Sequence, residues 1–315
     1  MSKNNQLLVQ TAQLYYEQQL TQADIGRRLN VSRSTISRLL QEARDTGVVR
    51  IIINYPWKRN AALEAALAEK FPLKDVRVLS EEEQSGDDAF EGIGALAALY
   101  LDDFVEPGMT MGVSYGRSIA AAIEHLQPTA AVDMTIIQIL GALNSGNPLI
   151  EGPDLVREMA NRYEASYRYL YTPMIVENVR TRDLLLQEPS VRDTLEAGRQ
   201  ADAVIIGIGA HSAESSGLIW TGYLNQKDLA YLESRGAVGH MCAQHFDATG
   251  NVLDVDFNQR VISIGIQALR NIETVIAVAG GREKAGAILG ALKGNYLDVL
   301  ITDEASAQEV VRLSN

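Results

Sequence analysis

Residues 21–44, TQADIGRRLNVSRSTISRLLQEAR, read as two short helices joined by a tight turn. Ile25, Leu29, Val31, Ile36, Leu39, Leu40 and Ala43 are spaced to seat both helices on a small core and on each other, which leaves Ser32, Arg33, Ser34, Thr35, Ser37 and Arg38 for solvent. A free face of small, hydroxylated and basic side chains is the layout of a DNA-reading helix, and Ser32 stands where a side-chain oxygen would cap that helix. Asn30 occupies the turn, where a residue tolerant of left-handed backbone is needed. Gly26 costs helix stability but lets the two helices approach closely.

Working outward, QLLVQTAQLYYEQQ (residues 6–19) places Leu7, Leu8, Ala12, Leu14 and Tyr15 near one side of a preceding helix, giving a three-helix core. After Asp45, Thr46 and Gly47 the β-branched run VVRIIIN (residues 48–54) reads as a strand, so a winged helix-turn-helix is expected. The expected DNA contacts are Arg27, Arg28, Ser32, Arg33, Ser34, Thr35, Ser37, Arg38 and Arg50, with Arg27, Arg28 and Arg50 on the backbone. Charge agrees. Residues 1–59 carry nine Lys/Arg against four Asp/Glu, a net of +5, whereas the remainder carries 19 against 36, a net of −17. The positive potential is confined to one end. Basic residues that merely solvate helix faces are the plainer alternative, but here charge and motif coincide.

A chain of 315 residues with 46% hydrophobic and 22% charged residues suits two domains, here 1–56 and 57–315. Pro56 ends the strand, Asn60 can cap a helix over Ala61 to Phe71, and EEEQSGDD (residues 81–88) reads as a solvated acidic loop. No stretch approaches the roughly 20 apolar residues that span a bilayer, and MSKNNQ lacks the apolar core of a signal peptide, so a cytoplasmic protein is expected, with no membrane partner. One cysteine, Cys242, excludes an internal disulfide and a cysteine-based zinc cluster; it reads as a small core residue rather than a nucleophile. No metal and no cofactor are expected.

From about residue 89 helices and apolar strands alternate as in an open α/β sheet: Met109 to Val113, MTIIQIL, AVIIGIGA, VIAVAGG and VLITD. Several strands run into glycine and small polar residues, and ligands of such sheets collect beyond the carboxyl ends of the strands. Ser114, Gly116, Arg117 and Ser118 suit a phosphate or sugar hydroxyls, and Lys284 near a helix start suits a phosphate as a point charge.

Five blocks in order resemble the SorC family of bacterial transcriptional regulators: LYYEQQLTQADIGRRLNVSRSTISRLLQEARDTGVVRIIIN, GVSYGRSI, GIGA, GAVGHMCAQHFDATGNV and AGGREKAGAILGALKGNYLDVLITD. The resemblance implies a winged helix-turn-helix followed by an α/β open-sheet effector domain similar to sugar-phosphate isomerases and deaminases, assembled as a dimer or tetramer. It implies double-stranded operator DNA and a sugar or sugar phosphate as partners. It adds Gly141, Asn144 and Ser145 in a second loop, Gly207 and Gly209 in a third, and Gly280 and Gly281 in the last, to the effector set. In GAVGHM, His240 stands where the family usually has an acidic residue, and it reads either as a hydroxyl-binding imidazole or as a histidine at the pocket edge.

Because the body is similar to enzymes, a sugar-phosphate isomerase or deaminase with an appended head is the alternative. It needs a positioned general base. Asp202, Asp247, Asp254 and Asp256 form no evident pair, and GALNSG offers no lysine for a Schiff base, so the regulator reading, with no catalytic residue, is preferred. An architectural DNA-binding protein that ignores every sugar phosphate is a third reading.

Overall fold

The computed structural model describes residues 3–46, 48–49, 57–81, 90–143, 151–211 and 222–315. The chain folds as two units, Met1–Pro56 and Trp57–Asn315.

In the first unit α1 (Lys3–Ala12) runs into a wider π turn, Gln13–Glu17, and is followed by α2 (Gln22–Leu29) and α3 (Arg33–Asp45). Both later helices start on side-chain caps: the Thr21 hydroxyl accepts the Asp24 N–H, and the Ser32 hydroxyl accepts the Thr35 N–H at 3.1 Å. Asn30 closes α2 in the left-handed conformation, φ 53°. Leu8, Ala12, Leu14, Ile25, Ile36, Leu39, Leu40 and Ala43 form one buried core, with Leu7, Tyr15, Leu29 and Val31 partly buried against it. At Gly26 an added Cβ would lie 2.8 Å from the Val31 carbonyl oxygen, so the close approach is to the turn's own backbone. Of the expected wing, Val49 donates its N–H to the Ala43 carbonyl; Arg50 and the rest of the strand lie outside the described residues.

The second unit opens with α4 (Ala61–Lys70), capped by the Asn60 side chain. Seven parallel strands follow: β1 (Asp75–Leu79), β2 (Thr110–Val113), β3 (Thr135–Gln138), β4 (Ser166–Arg168), β5 (Ala203–Gly207), β9 (Thr274–Val278) and β10 (Val299–Asp303). Their order across the sheet is β1-β10-β9-β5-β2-β3-β4. Residues that alternate along a strand enter opposite cores. Val204 and Ile206 join the core that takes Leu67 of α4 and Leu195 of α9 (Pro189–Arg199); Ala203 and Ile205 join the core lined by α5 (Glu91–Phe104), α6 (Arg117–Glu124) and α7 (Gly152–Tyr163). Burial on both faces is why these strands read as unbroken apolar runs.

α8 (Val179–Gln187) precedes α9. Beyond β5, a three-stranded sheet is built from β6 (Gly209–Ala210), β7 (Ala237–Met241) and β8 (Gln244–Asp247), with α10 (Gln226–Ser234) leading into β7. Its hairpin tip, Cys242 and Ala243, is buried with both residues at positive φ, 48° and 61°. The short α11 (Asp256–Gln259), then α12 (Ala285–Lys293) and α13 (Glu304–Leu313), complete the unit.

Candidate functional site

The first unit presents its polar face through α3. Ser32, Arg33, Ser34, Ser37 and Arg38 are exposed and Thr35 half-buried, because the 3.6-residue period turns Ile36, Leu39, Leu40 and Ala43 inward. The Ser32 hydroxyl bridges to Ser34 and Thr35, both at 2.8 Å, so it is bound up in the cap. Among the described residues Arg33 and Arg38 have no acidic partner, whereas Arg27 is tied to Asp24 one turn earlier. Arg28 is exposed beside it. A groove next to the α3 start is lined by Tyr15, Gln19, Thr21, Gln22 and Arg33, adding residues that the sequence reading missed. Capping grammar at Thr21, a hydroxyl three residues before Asp24, was the available signal.

In the second unit the carboxyl ends of β2, β9 and β10 gather a set of charged and polar groups. Ser114 follows β2, 3% exposed, with its N–H donated to the Ile205 carbonyl at 3.1 Å. Gly116 is the first half-turn of α6 at φ 115°, a conformation that favours glycine, and an added Cβ there would meet nothing. Arg117 and Ser118 then open α6. Across the site the loop after β9 carries Gly280, Gly281 and Lys284, and Asp303 at the end of β10 pins it. One Asp303 oxygen accepts the Gly281 N–H at 2.6 Å, and the other accepts the Ser306 N–H at 2.7 Å as the cap of α13.

Two cations converge on one ring. The Arg117 guanidinium carbon lies 4.5 Å, and the Lys284 ammonium 5.1 Å, from the centre of Phe90. Lys284 is only 6% exposed, and among the described residues no carboxylate lies within ion-pair distance of its ammonium. Burial, aided by the neighbouring Arg117 and opposed by Glu283 and Asp303, pushes its pKa down to about 8. A buried cation beside a second cation is costly unless an anion completes the site.

His240 sits 7% exposed in β7, its ring so close over Gly209 that an added Cβ there would fall 2.1 Å from Nε2. Gly209 is therefore a close-approach glycine beneath the histidine. Gly141 is likewise pressed against the Pro173 carbonyl, where a Cβ would lie 2.3 Å from the oxygen, and Gly280 against Ile93 and Asp303. Burial, then Lys284 and His211, hold His240 neutral with its pKa pushed down to about 4. Its ring stands 5.4 Å from that of His245, which in turn is 5.8 Å from His211. His211 Nε2 lies 3.0 Å from the Leu229 carbonyl, which only an N–H can satisfy, and its Nδ1 is buried with no hydrogen-bond partner among the described residues. His125, by contrast, caps α6, with Nδ1 2.9 Å from the Ala121 carbonyl. Asn144 and Ser145 lie outside the described residues.

The four carboxylates considered for catalysis are engaged elsewhere. Asp202 accepts the Thr110 N–H at 2.8 Å, and Asp247 accepts the Thr249 and Asn251 N–H groups, both at 2.9 Å. Asp254 accepts from Gln259 and Asp256 pairs with Arg260, both at 2.8 Å. Burial pushes the Cys242 thiol up to about 12, as befits a core residue. Among the described residues no group of His, Cys, Asp and Glu could hold a metal ion, and no helix is long and apolar enough to cross a membrane.

Comparison with known proteins gives the same two-part division. The family described as "Putative sugar-binding domain" matches residues 55–312, and that described as "Sigma-70, region 4" matches residues 13–46. The chain is 31% identical to the sorbitol operon regulator of Klebsiella pneumoniae over 322 residues, covering 99% of each chain. It is 30% identical to the deoxyribonucleoside regulator of Bacillus subtilis (strain 168) over 309 residues, covering 98% of each. The crystal structure of the full-length sorbitol operon regulator SorC from Klebsiella pneumoniae superposes with a TM-score of 0.76 at 30% identity, covering 99% of this chain and 100% of that one.

Proposed function

The chain belongs to the SorC family of transcriptional regulators, and we propose that it controls carbohydrate-metabolism genes as a cytoplasmic, homo-oligomeric DNA-binding protein switched by a sugar phosphate. Two first-unit heads of the dimer or tetramer bind half-sites about 34 Å apart, or a multiple of that. Arg33, Ser34, Ser37 and Arg38 meet bases and phosphates, with Ser32 and Thr35 at the helix start; Arg28, with Arg27 and Arg50, takes backbone phosphates.

The observation that carries the effector half is the pair of cations over Phe90, one of them buried with no acidic partner at ion-pair distance among the described residues. A phosphate there would pair with Lys284 and draw on the Arg117 charge and the start of α6 beside it. Ser114, Gly116, Gly280 and Gly281 shape the loops around it, Gly141 and Gly209 allow their close packing, and His240, Asn144 and Ser145 are the further effector contacts of this reading. Binding alters operator affinity by the difference in effector affinity between the two arrangements of the heads. The enzyme reading is disfavoured by carboxylates already committed to turns, caps and ion pairs.

Lys284→Met tests this reading. A screen of inorganic phosphate and sugar phosphates by thermal shift should find ligands that raise the melting temperature of the wild type. The variant should bind them roughly 10- to 150-fold more weakly, the range for a lost charge-assisted hydrogen bond. Equal affinity in wild type and variant overturns the assignment of Lys284. Turnover of a sugar phosphate would restore the enzyme reading.

A further inference from the structure

We infer that Trp57 passes occupancy of the effector site to the DNA-binding unit, and that the first turn of α5 is the element that moves it; this rests on the effector reading above. Trp57 directly follows Pro56, the residue that ends the first unit. Its indole packs, partly buried, against the core that holds Leu79 and Ile93. A Cβ added at Gly92 would fall 3.3 Å from Trp57 Cζ3 and 2.6 Å from Leu79 Cδ2, so the lack of a side chain lets the indole and the end of β1 close on the helix. The same turn reaches the effector loops. Phe90, one residue before α5, carries the Arg117 and Lys284 cations on its ring. Ile93 packs against Gly280, in the loop of Lys284. At Gly94 an added Cβ would lie 2.6 Å from the carbonyl carbon of Ala121 in α6, the helix that Arg117 opens. Residues 90–94 thus touch both the two cations and the residue through which the chain leaves the first unit.

The backbone supplies a second connection. Residues 58–60 run antiparallel to the end of β1: Ser80 donates its N–H to the Lys58 carbonyl and Asn60 donates its N–H to the Val78 carbonyl, both at 2.9 Å, with Arg59 bridged to Leu79 between them. Leu79 stands in parallel register with Asp303 of β10, the carboxylate that pins Gly281. Glu304, the next residue, accepts the Glu81 N–H at 2.9 Å. The strand end that carries residues 58–60 is therefore braced by the corner that holds the Lys284 loop. Two like charges share the Phe90 ring, and a phosphate competes with that ring for both. Once it draws them off, the turn that Phe90 begins settles into a second position. A close-packed interior transmits such a displacement rather than absorbing it. The indole on Gly92 and residues 58–60 follow, changing the direction in which the chain runs back to the first unit. Operator affinity then responds by the difference in ligand affinity between the two positions of the turn.

The full-length protein tests this in two ways. Trp220→Phe leaves Trp57 as the one tryptophan of the chain. Titrated with inorganic phosphate and a panel of pentose and hexose phosphates, its emission and its quenching by acrylamide should shift as the ligand saturates. Operator affinity of the wild type should change by about 5- to 150-fold on saturation with the ligand found, and that of Trp57→Leu by about twofold or less. Calorimetry should give the variant a ligand dissociation constant within about twofold of the wild-type value, because Trp57 does not touch the cations. Trp57→Phe, which keeps a ring on Gly92, should restore part of the response. An undiminished operator response in Trp57→Leu overturns the inference, as does a flat Trp57 signal while ligand saturates, or a wild type whose operator affinity ignores bound ligand. Ligand binding weakened in step with the lost response would make Trp57 a support of the pocket, which also overturns it. Should Trp57→Leu fail to fold, the titration of the native indole decides alone. Each of these leaves the effector reading standing; if neither phosphate nor any sugar phosphate binds the wild type, that reading fails and this inference with it.

Discussion

The two units differ in how their polar chemistry is assembled. In the first, most of the proposed DNA contacts come from one helix and its cap, stand in water, and are already paired or solvated. In the second, Phe90, Ser114, Arg117, His240, Lys284 and Asp303 are drawn from separate strands and loops, several of their polar side chains are buried, and Nε2 of His240 has no partner among the described residues. An exposed DNA-reading face can be built locally because water solvates it until DNA arrives. A pocket for a small polar ligand must exclude water and hold donors ready, so it carries a desolvation cost that the bulk of the sheet has to absorb.

That contrast predicts that the two units respond to acid over different pH ranges. All four histidines lie beyond residue 56, and His240 and His245 are buried with pKa values lowered by desolvation. A lowered folded pKa means that, below the unfolded value of about 6.5, the unfolded chain takes up protons that the folded chain refuses. Stability of the second unit should therefore fall as pH drops from 6.5 to about 4, by about 3 kcal/mol from His240 alone at the lower limit. The first unit has no histidine, and its Asp24, with a lowered carboxylate pKa, loses stability only below the ordinary range near 3.8. Trp57 and Trp220, the two tryptophans of the chain, both belong to the second unit, so fluorescence follows that unit while far-ultraviolet circular dichroism follows both. Parallel acid losses by the two probes would break the contrast; His240→Asn should flatten the fluorescence-detected slope.

The comparison is sharpened next by Arg38→Ala. Arg38 is exposed on α3 with no acidic partner among the described residues, so its removal leaves folding intact. Operator affinity should fall by about 1–3 kcal/mol if it contacts a base, or its salt slope by about one if it contacts a phosphate. Sugar-phosphate affinity should be unchanged in calorimetry. An unchanged operator affinity at physiological salt would mean that a different face of α3 meets DNA.

Legibility in the sequence follows the same division. The head was readable because its signals are local: Ser32 as cap, Asn30 in the left-handed turn, and an apolar period that the core reproduces residue for residue. Strands β2, β3, β5, β9 and β10 were readable from their buried runs. Strand β1 was not, since DVRVL carries an Asp75–Arg77 ion pair along its edge, and neither was β4, whose three residues are all exposed. Helices α7, α8 and α9 also went unread; α8 buries no residue and so shows no apolar stripe. Loop glycines and Lys284 were visible as motifs. Phe90 and Asp303 were not, because only the parallel register of the sheet brings residues from such distant stretches to one edge.

The smallest expected effect is also the one whose sign decides most. Replacing Gly26 by Ala in the interior of α2 removes backbone entropy from the unfolded chain and by propensity alone stabilises a helix by up to about 1 kcal/mol. Against this, the new Cβ would sit 2.8 Å from the Val31 carbonyl oxygen, and that oxygen belongs to the turn between α2 and α3, not to a side chain that can swing away. Relief requires the turn to move, and with it the N–H of Val31 that donates to the Gly26 carbonyl at 2.9 Å and the Ser32 cap that follows. Overpacking of this kind typically costs about 1–3 kcal/mol. Gly26→Ala should thus be net destabilising by about 1 kcal/mol in circular dichroism, leave the tryptophan-detected transition in place, and weaken operator binding through a misplaced α3. A stabilised variant with unchanged DNA affinity would show that the turn yields freely, and that the reading helix is held by its buried Ile36, Leu39 and Leu40 rather than by the tight junction that precedes it.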